Sequence, residues 1–174
     1  HPKIEVRLGV NFFEIRDQIP SACTVIYTGM VDQFFDYCHG PLDWRSLRFE
    51  WETKDLSDWQ GTAVMNYADE EIPYTRIHEF KHYHPERKAV FESDKTVICR
   101  EYSQTYTPGK EAYYPVNNAE NNRKYEKYQA MAKAMPHVIL AGRLANYRYW
   151  DMDQAINNSL CLFEQIKKDL ENGK

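Results

Sequence analysis

The sequence predicts an α/β (α+β) protein in which an antiparallel sheet is inserted into a nucleotide-binding α/β domain that the chain leaves and re-enters. Three observations predict it. The apolar run Thr24-Val25-Ile26-Tyr27 stops at Thr28-Gly29, and a buried strand ending in glycine is where such domains let backbone approach a ligand. From residue 42 to about residue 106, apolar and polar side chains alternate, the period of strands with one covered face. After Tyr113-Tyr114-Pro115 the spacing becomes helical.

Taken in order, Ile4-Glu5-Val6-Arg7-Leu8 reads as a strand, followed by a polar turn and the strand that ends at Tyr27. Leu47, Phe49 and Trp51 then alternate with Arg48 and Glu50, and Ala63, Met65 and Tyr67 alternate with Val64 and Asn66. Trp59-Gln60-Gly61 and Thr107-Pro108-Gly109-Lys110 supply turns, while 75–83 and 89–102 read as further strands. Asn117 and Asn118 are candidate caps for a helix that Pro136 stops, with Tyr125, Tyr128, Ala132 and Met135 along one face. A strand at 137–141 and a loop at 142–150 follow. Asp151 then caps a final helix whose Ile156, Leu160, Phe163, Ile166 and Leu170 form a stripe.

Composition narrows the function classes. The chain has 174 residues and 43% hydrophobic content, enough for a real core. With 22 basic and 26 acidic residues, its net charge of -4 provides no field to gather nucleic acid or anionic lipid, so an anionic ligand must be held locally. The cysteines at 23, 38, 99 and 161 form no C-x-x-C pair, which fits a reducing, cytoplasmic setting. No apolar run approaches the roughly 20 residues of a membrane span, so no membrane partner is expected. The chain opens on His1 and enters the strand-like run at Ile4 almost at once, which reads as a piece of something longer. Thirteen tyrosines and 4 tryptophans exceed what this core needs; a flat apolar ring with a hydrogen-bonding tip suits sugars and nucleotides.

Three clusters could carry chemistry. The segment 142–153 leads into a helix start, whose unpaired N–H groups, with Arg143 and Arg148, could hold a phosphate or the electron-rich edge of a flavin; Asp151 and Asp153 could equally be plain caps. Pro73-Tyr74-Thr75-Arg76-Ile77 sets an arginine on a strand beside aromatics, and its planar fork matches phosphate oxygens, although pairing with a surface carboxylate is the ordinary alternative. His78, His82 and His84 would share one strand face with Arg76. Lys81 and Arg87 lie close by and no cysteine completes a set, so no metal site is expected there. The chain has no G-x-S-x-G nucleophile elbow and no G-x-G-x-x-G loop.

Six ordered blocks resemble segments of the UDP-galactopyranose mutases: Tyr27-Thr28-Gly29-Met30-Val31-Asp32, Arg45-Ser46-Leu47-Arg48-Phe49-Glu50, Met65-Asn66-Tyr67, Pro73-Tyr74-Thr75-Arg76-Ile77, Tyr113-Tyr114-Pro115, and Gly142-Arg143-Leu144 with Tyr147 to Asp153. The resemblance covers nearly the whole chain and matches the C-terminal half of such an enzyme. It implies residues 1–41 as a returning segment of a Rossmann-like FAD-binding domain, 42–115 as an antiparallel substrate-binding sheet, and 116–174 as the C-terminal part of the FAD domain. It implies an isomerase in which N5 of reduced FAD attacks the anomeric carbon of UDP-galactose, displaces UDP, and lets the sugar reclose as galactofuranose for cell-wall polysaccharide. By motif, Arg76 would hold the diphosphate, with Tyr114 and Tyr149 donating to the same oxygens as catalytic partners, and Asn66 and Asp151 in the substrate pocket. Thr28, Gly29, Arg143, Asp151 and Met152 would meet FAD.

The dinucleotide loop, the helical domain with its second diphosphate arginine, and the aromatic that stacks on uracil are absent from this chain. The resemblance therefore implies an isolated piece that neither retains FAD nor turns over, with the missing N-terminal half as its partner and exposed apolar surface that favours a homo-oligomer. Two other readings are a UDP-binding module without catalysis, and a different flavoenzyme of the same broad fold. The second gives no reason for Arg76 and the paired tyrosines.

Overall fold

The computed structural model describes residues 1–172. In chain order its elements are α1 (Phe12–Ile15), β1 (Val25–Tyr27), α2 (Val31–Phe34), β2 (Trp44–Lys54), β3 (Val64–Asn66), β4 (Arg76–Glu79), α3 (Lys88–Phe91), β5 (Thr96–Thr105), β6 (Tyr114–Pro115), α4 (Ala119–Lys133), β7 (Val138–Leu140), α5 (Gly142–Ala145) and α6 (Met152–Glu171). The fold is mixed α/β, with one parallel and one antiparallel sheet. The chain forms two compact units, one built from Leu42–Asn121 and the other from the residues on either side of it.

In the flanking unit β1 and β7 pair in parallel, Val25 opposite Val138 and Tyr27 opposite Leu140. The ladder continues one step, from Ala141 N–H to the Tyr27 carbonyl at 2.9 Å. Tyr27 packs 4.8 Å from Phe34, centroid to centroid, and Phe12 joins them. On α4, Tyr125, Tyr128 and Ala132 are buried as their helical spacing requires. The Tyr128 hydroxyl donates to the Gly40 carbonyl at 2.8 Å and accepts from His39 N–H at 3.0 Å, tying the helix to the turn before β2. Asn118 caps α4 through the Asn121 amide at 2.8 Å. The helix ends at Lys133, so Met135 falls beyond it and is exposed.

Two expectations for this unit change. Ile4, Val6 and Leu8 are exposed and form no strand, because an isolated extended run with no neighbouring ladder leaves its amides to water. The segment 142–150 is not all loop: Gly142–Ala145 makes one helical turn. The final helix starts at Asp151 through a reciprocal capping box with Gln154. Its stripe forms, but Ile156, Leu160 and Phe163 are each about 60% exposed.

The Leu42–Asn121 unit is a five-stranded antiparallel sheet in the order β3-β4-β5-β2-β6. Its spine is the long β2–β5 ladder, from Arg45 opposite Thr105 to Lys54 opposite Thr96. Side chains alternate across it. One face carries Glu50, Glu52 and Arg100, with Arg100 Nη1 at 2.9 Å from Glu52, and Arg48 stacks over Tyr102 at 3.7 Å. Lys54 first, then Arg100, hold the Glu52 carboxyl below the usual carboxylate range. The strands expected at 75–83 and 89–102 are shorter and displaced. The chain leaves the ladder at Glu79 for a 3-10 turn at Phe80–Tyr83, passes through α3, and rejoins as β5 only at Thr96. Lys81 explains the departure: its buried Nζ donates to the Ser57 carbonyl at 2.6 Å and the Ser93 carbonyl at 2.9 Å, bonds that a strand conformation would not reach.

Burial and then the Asp32 carboxylate push the Tyr27 phenol up to about 12. The stability linked to its neutral form is complete below about pH 10, the ordinary phenol value, and is lost as pH rises through about 12. Alkaline unfolding followed by circular dichroism should therefore steepen across that window. Tyr27→Phe, which keeps the ring beside Phe34, should flatten the slope; identical slopes would assign the loss to another group.

Candidate functional site

Arg76 opens β4, and three strands converge on it. Asn66 of β3 is its cross-strand partner on one side and Glu101 of β5 on the other. Because directly paired residues point to the same face, Asn66, Arg76 and Glu101 form one row, and His78 follows Arg76 on that face. Glu101 is 8% exposed at its side chain and Arg76 is 39% exposed, so the carboxylate lies beneath and the guanidinium reaches outward. Arg76 Nε stands 3.4 Å from Glu101 Oε1. The angle makes no hydrogen bond, and Nε is buried without one. The Thr75 hydroxyl donates to the Glu101 carbonyl at 3.1 Å, which holds the end of the row. The outcome is a half-buried cation steadied by a more deeply buried carboxylate. This is a geometry for a bidentate anion such as phosphate.

The other sheet residue expected at the site, Tyr114, sits on β6 opposite Arg45. The register carries this back through Thr105 and places Tyr114 on the same face as Arg76. β5 and β2 lie between their strands, and the register also offsets the two residues by four positions along the sheet, a separation of about 20 Å at ordinary strand spacing and rise. Arg76 and Tyr114 therefore bracket a surface long enough for a sugar nucleotide. Asn66 is exposed beside Arg76.

The remaining candidates lie in the flanking unit. Because β1 and β7 run parallel, their carboxyl ends lie side by side, and a Cβ built on Gly142 would stand 3.8 Å from Thr28 Cβ. Gly142 has φ +76°, a left-handed conformation that glycine adopts without cost. Gly29 has a different reason: a Cβ there would lie 2.5 Å from the Tyr27 hydroxyl, which itself donates to the Met30 carbonyl at 3.1 Å. Both glycines thus sit at the carboxyl ends of the paired strands, Gly29 with its Cβ space filled by the Tyr27 hydroxyl and Gly142 beside the Thr28 side chain. Arg143 follows directly and stacks on the Tyr149 ring at 5.5 Å. Tyr149 and Met152 are 58% and 84% exposed. The Asp151 side chain is engaged by its own helix in the capping box.

The histidine triad does not assemble. His78 is on β4 with Arg76, but His82 lies in the 3-10 turn and His84 beyond it. His82 instead joins Asp58 and Glu79, three groups with ligand atoms close enough together to suit a cation. Glu79, fully buried, already accepts from the backbone of Trp59 at 3.0 Å and Gln60 at 2.9 Å and from the Thr96 hydroxyl at 2.7 Å. Asp58 accepts from Gly61 N–H at 2.6 Å. Those bonds account for both carboxylates as loop anchors.

Glu101 is the site residue that sequence reasoning missed. The cross-strand register that joins Glu101 to Arg76 across 25 positions could have been found only from the pairing itself.

A family model described as UDP-galactopyranose mutase matches residues 1–149. The chain is similar to a dTDP-fucopyranose mutase of Escherichia coli, 37% identical over 98% of this chain and 46% of that protein. It is also similar to a UDP-galactopyranose mutase of Mycoplasma pneumoniae, 36% identical over 95% of this chain and 44% of that protein, and to a probable UDP-galactopyranose mutase of Klebsiella pneumoniae, 34% identical over 99% and 43%. The chain spans about half the length of the curated relatives it matches.

Removing Glu79 strands three donors in a buried site. Glu79→Ala should cost about 3 kcal/mol in urea unfolding read by tryptophan fluorescence, with Trp59 on the affected loop as the reporter. A loss below about 1 kcal/mol would mean that water replaces the carboxylate in those bonds.

Proposed function

This chain belongs to the UDP-galactopyranose mutase family, and we propose that, with the rest of its polypeptide, it interconverts UDP-galactopyranose and UDP-galactofuranose as an isomerase acting in the cytoplasm. The observation that carries the reading is the Arg76 row. A cation is presented on a sheet face with Asn66 beside it and Tyr114 at the far edge, as recognition of a diphosphate linked to a sugar requires. Arg76 binds the diphosphate and, as the bond from the anomeric carbon to UDP breaks, stabilises the negative charge that develops on the leaving oxygen. Glu101 positions Arg76 and keeps its empty-site charge balanced. Tyr114 and Tyr149 are assigned to the substrate as hydroxyl donors that add no charge, and Asn66 and Asp151 to its orientation.

The flavin role rests on a fit of residues. The paired strands end at Thr28-Gly29 and Gly142, the strand-end position at which such sheets hold a nucleotide, and Arg143 and the start of α6 at Asp151 and Met152 supply positive and dipolar groups in the same unit. We assign these residues to FAD, within a Rossmann-like domain of which β1 and β7 are part. Reduced FAD, when bound, supplies the nucleophile for the anomeric carbon. The chain alone is proposed to be inactive and not to retain the cofactor. Similarity to a dTDP-fucopyranose mutase supports a second reading, in which the sugar lacks its 6-hydroxyl and thymine replaces uracil. The Arg76 contact serves both, because the diphosphate is common to both.

The test is turnover by the flavin-loaded, reduced full-length protein, with UDP-galactofuranose and dTDP-fucofuranose supplied in turn. Arg76→Ala should lower turnover on the order of 100-fold or more, the usual cost of one lost group at a developing anion. Preference for the dTDP sugar would move the second reading to first place. No turnover with either, or an Arg76→Ala protein as active as wild type, would overturn the assignment.

A further inference from the structure

His78 is the member of the Arg76 face that the proposed chemistry leaves unused. Its ring is held on every side. Nε2 stands 3.4 Å from Glu101 Oε2, and Nδ1 stands 2.7 Å from the Tyr83 hydroxyl. Phe80 and Tyr83 stack against it with centroids 6.1 and 6.3 Å away, and its side chain is 19% exposed. Glu101 thus has one oxygen turned to Arg76 and the other to His78.

We propose that His78 is a positioning residue that sets how far Glu101 neutralises Arg76, so that the affinity of this face for a diphosphate follows the charge on the His78 ring. The proposal rests on the reading that Arg76 holds the diphosphate. With a neutral imidazole, Arg76 and Glu101 sum to zero and the carboxylate opposes the incoming anion. With an imidazolium, one carboxylate is shared between two cations and the face carries a net positive charge. One added charge within about 10 Å, at the screening typical of a protein surface, changes the binding constant of an anion on the order of ten-fold.

The groups that face His78 are Arg76 on its own strand, Cys99 and Glu101 on β5, and Tyr83 in the 3-10 turn; Val64, its partner on β3, is uncharged. Burial pushes the Cys99 thiol and the Tyr83 phenol above their ordinary values, so both stay neutral where an imidazole ordinarily changes charge. Tyr83 therefore acts on His78 as a neutral hydrogen-bond partner.

The experiment measures the Kd of UDP-galactose for the full-length protein by calorimetry from about pH 5.5 to about pH 8.5, the range of imidazole titration. UDP-galactose is chosen over UDP because both of its phosphates are esterified, whereas a terminal phosphate would itself titrate near pH 6. Wild type should bind on the order of ten-fold more tightly at the acid end. His78→Gln should give a flat profile at the wild-type alkaline value, and Tyr83→Phe, which removes the partner of Nδ1, should shift the midpoint. A flat wild-type profile, or an equal slope in His78→Gln, overturns the proposal. If His78→Gln does not fold, the Tyr83→Phe midpoint decides, and an unmoved midpoint overturns it. Arg76→Ala at one pH separates the two readings: normal binding there sinks the diphosphate assignment itself, whereas lost binding beside an unchanged His78→Gln slope sinks only the role of His78.

Discussion

The register of β4 against β5 is the constraint on which the candidate site depends. Pairing Arg76 with Glu101 and His78 with Cys99 puts a cation, a buried carboxylate and an imidazole on one face, while Ile77 and Glu79 turn to the other. A slip of one residue would exchange the faces, burying Arg76 and exposing Ile77, which is 2% exposed as it stands. The cost of that exchange is what holds the strand in place. Glu79 reinforces it from the far side: its bonds to Trp59, Gln60 and Thr96 can form only in this register. Structure on one face thereby fixes chemistry on the other.

Much of this was legible in the sequence where the signal is periodic and local. The alternation at Leu47, Phe49 and Trp51 found β2, the spacing of Tyr125, Tyr128 and Ala132 found the buried face of α4, and Asp151 was read correctly as the start of α6. What escaped depends on partners distant in sequence. The run 75–83 has a strand's pattern, yet Lys81 is drawn off the ladder by the carbonyls of Ser57 and Ser93, and His82 and His84 leave with it. The run 4–8 has the same pattern and stays unpaired among the described residues, because alternation records a strand's suitability for a sheet and not the presence of one. Arg76 was legible as a candidate, but Glu101 was not, since its role exists only through pairing.

The flanking unit is held together with little regular structure. β1 and β7 have three residues each and form two strands of parallel sheet. Their stability comes from the aromatic packing around Tyr27 and Phe34 and from the bonds Tyr128 makes to the turn at His39 and Gly40. α6 contributes a capped, regular helix whose apolar side chains are turned outward in the chain described.

Gly29 carries a consequence for comparing relatives. The Tyr27 hydroxyl occupies the space that a Cβ at position 29 would need, and the ring cannot move without disturbing its contact with Phe34. Selection would therefore keep a glycine here in any descendant that keeps the tyrosine, whatever that descendant bound. Its persistence in an alignment would be a record of packing. Only the joint loss of the tyrosine and retention of the glycine would testify to a ligand.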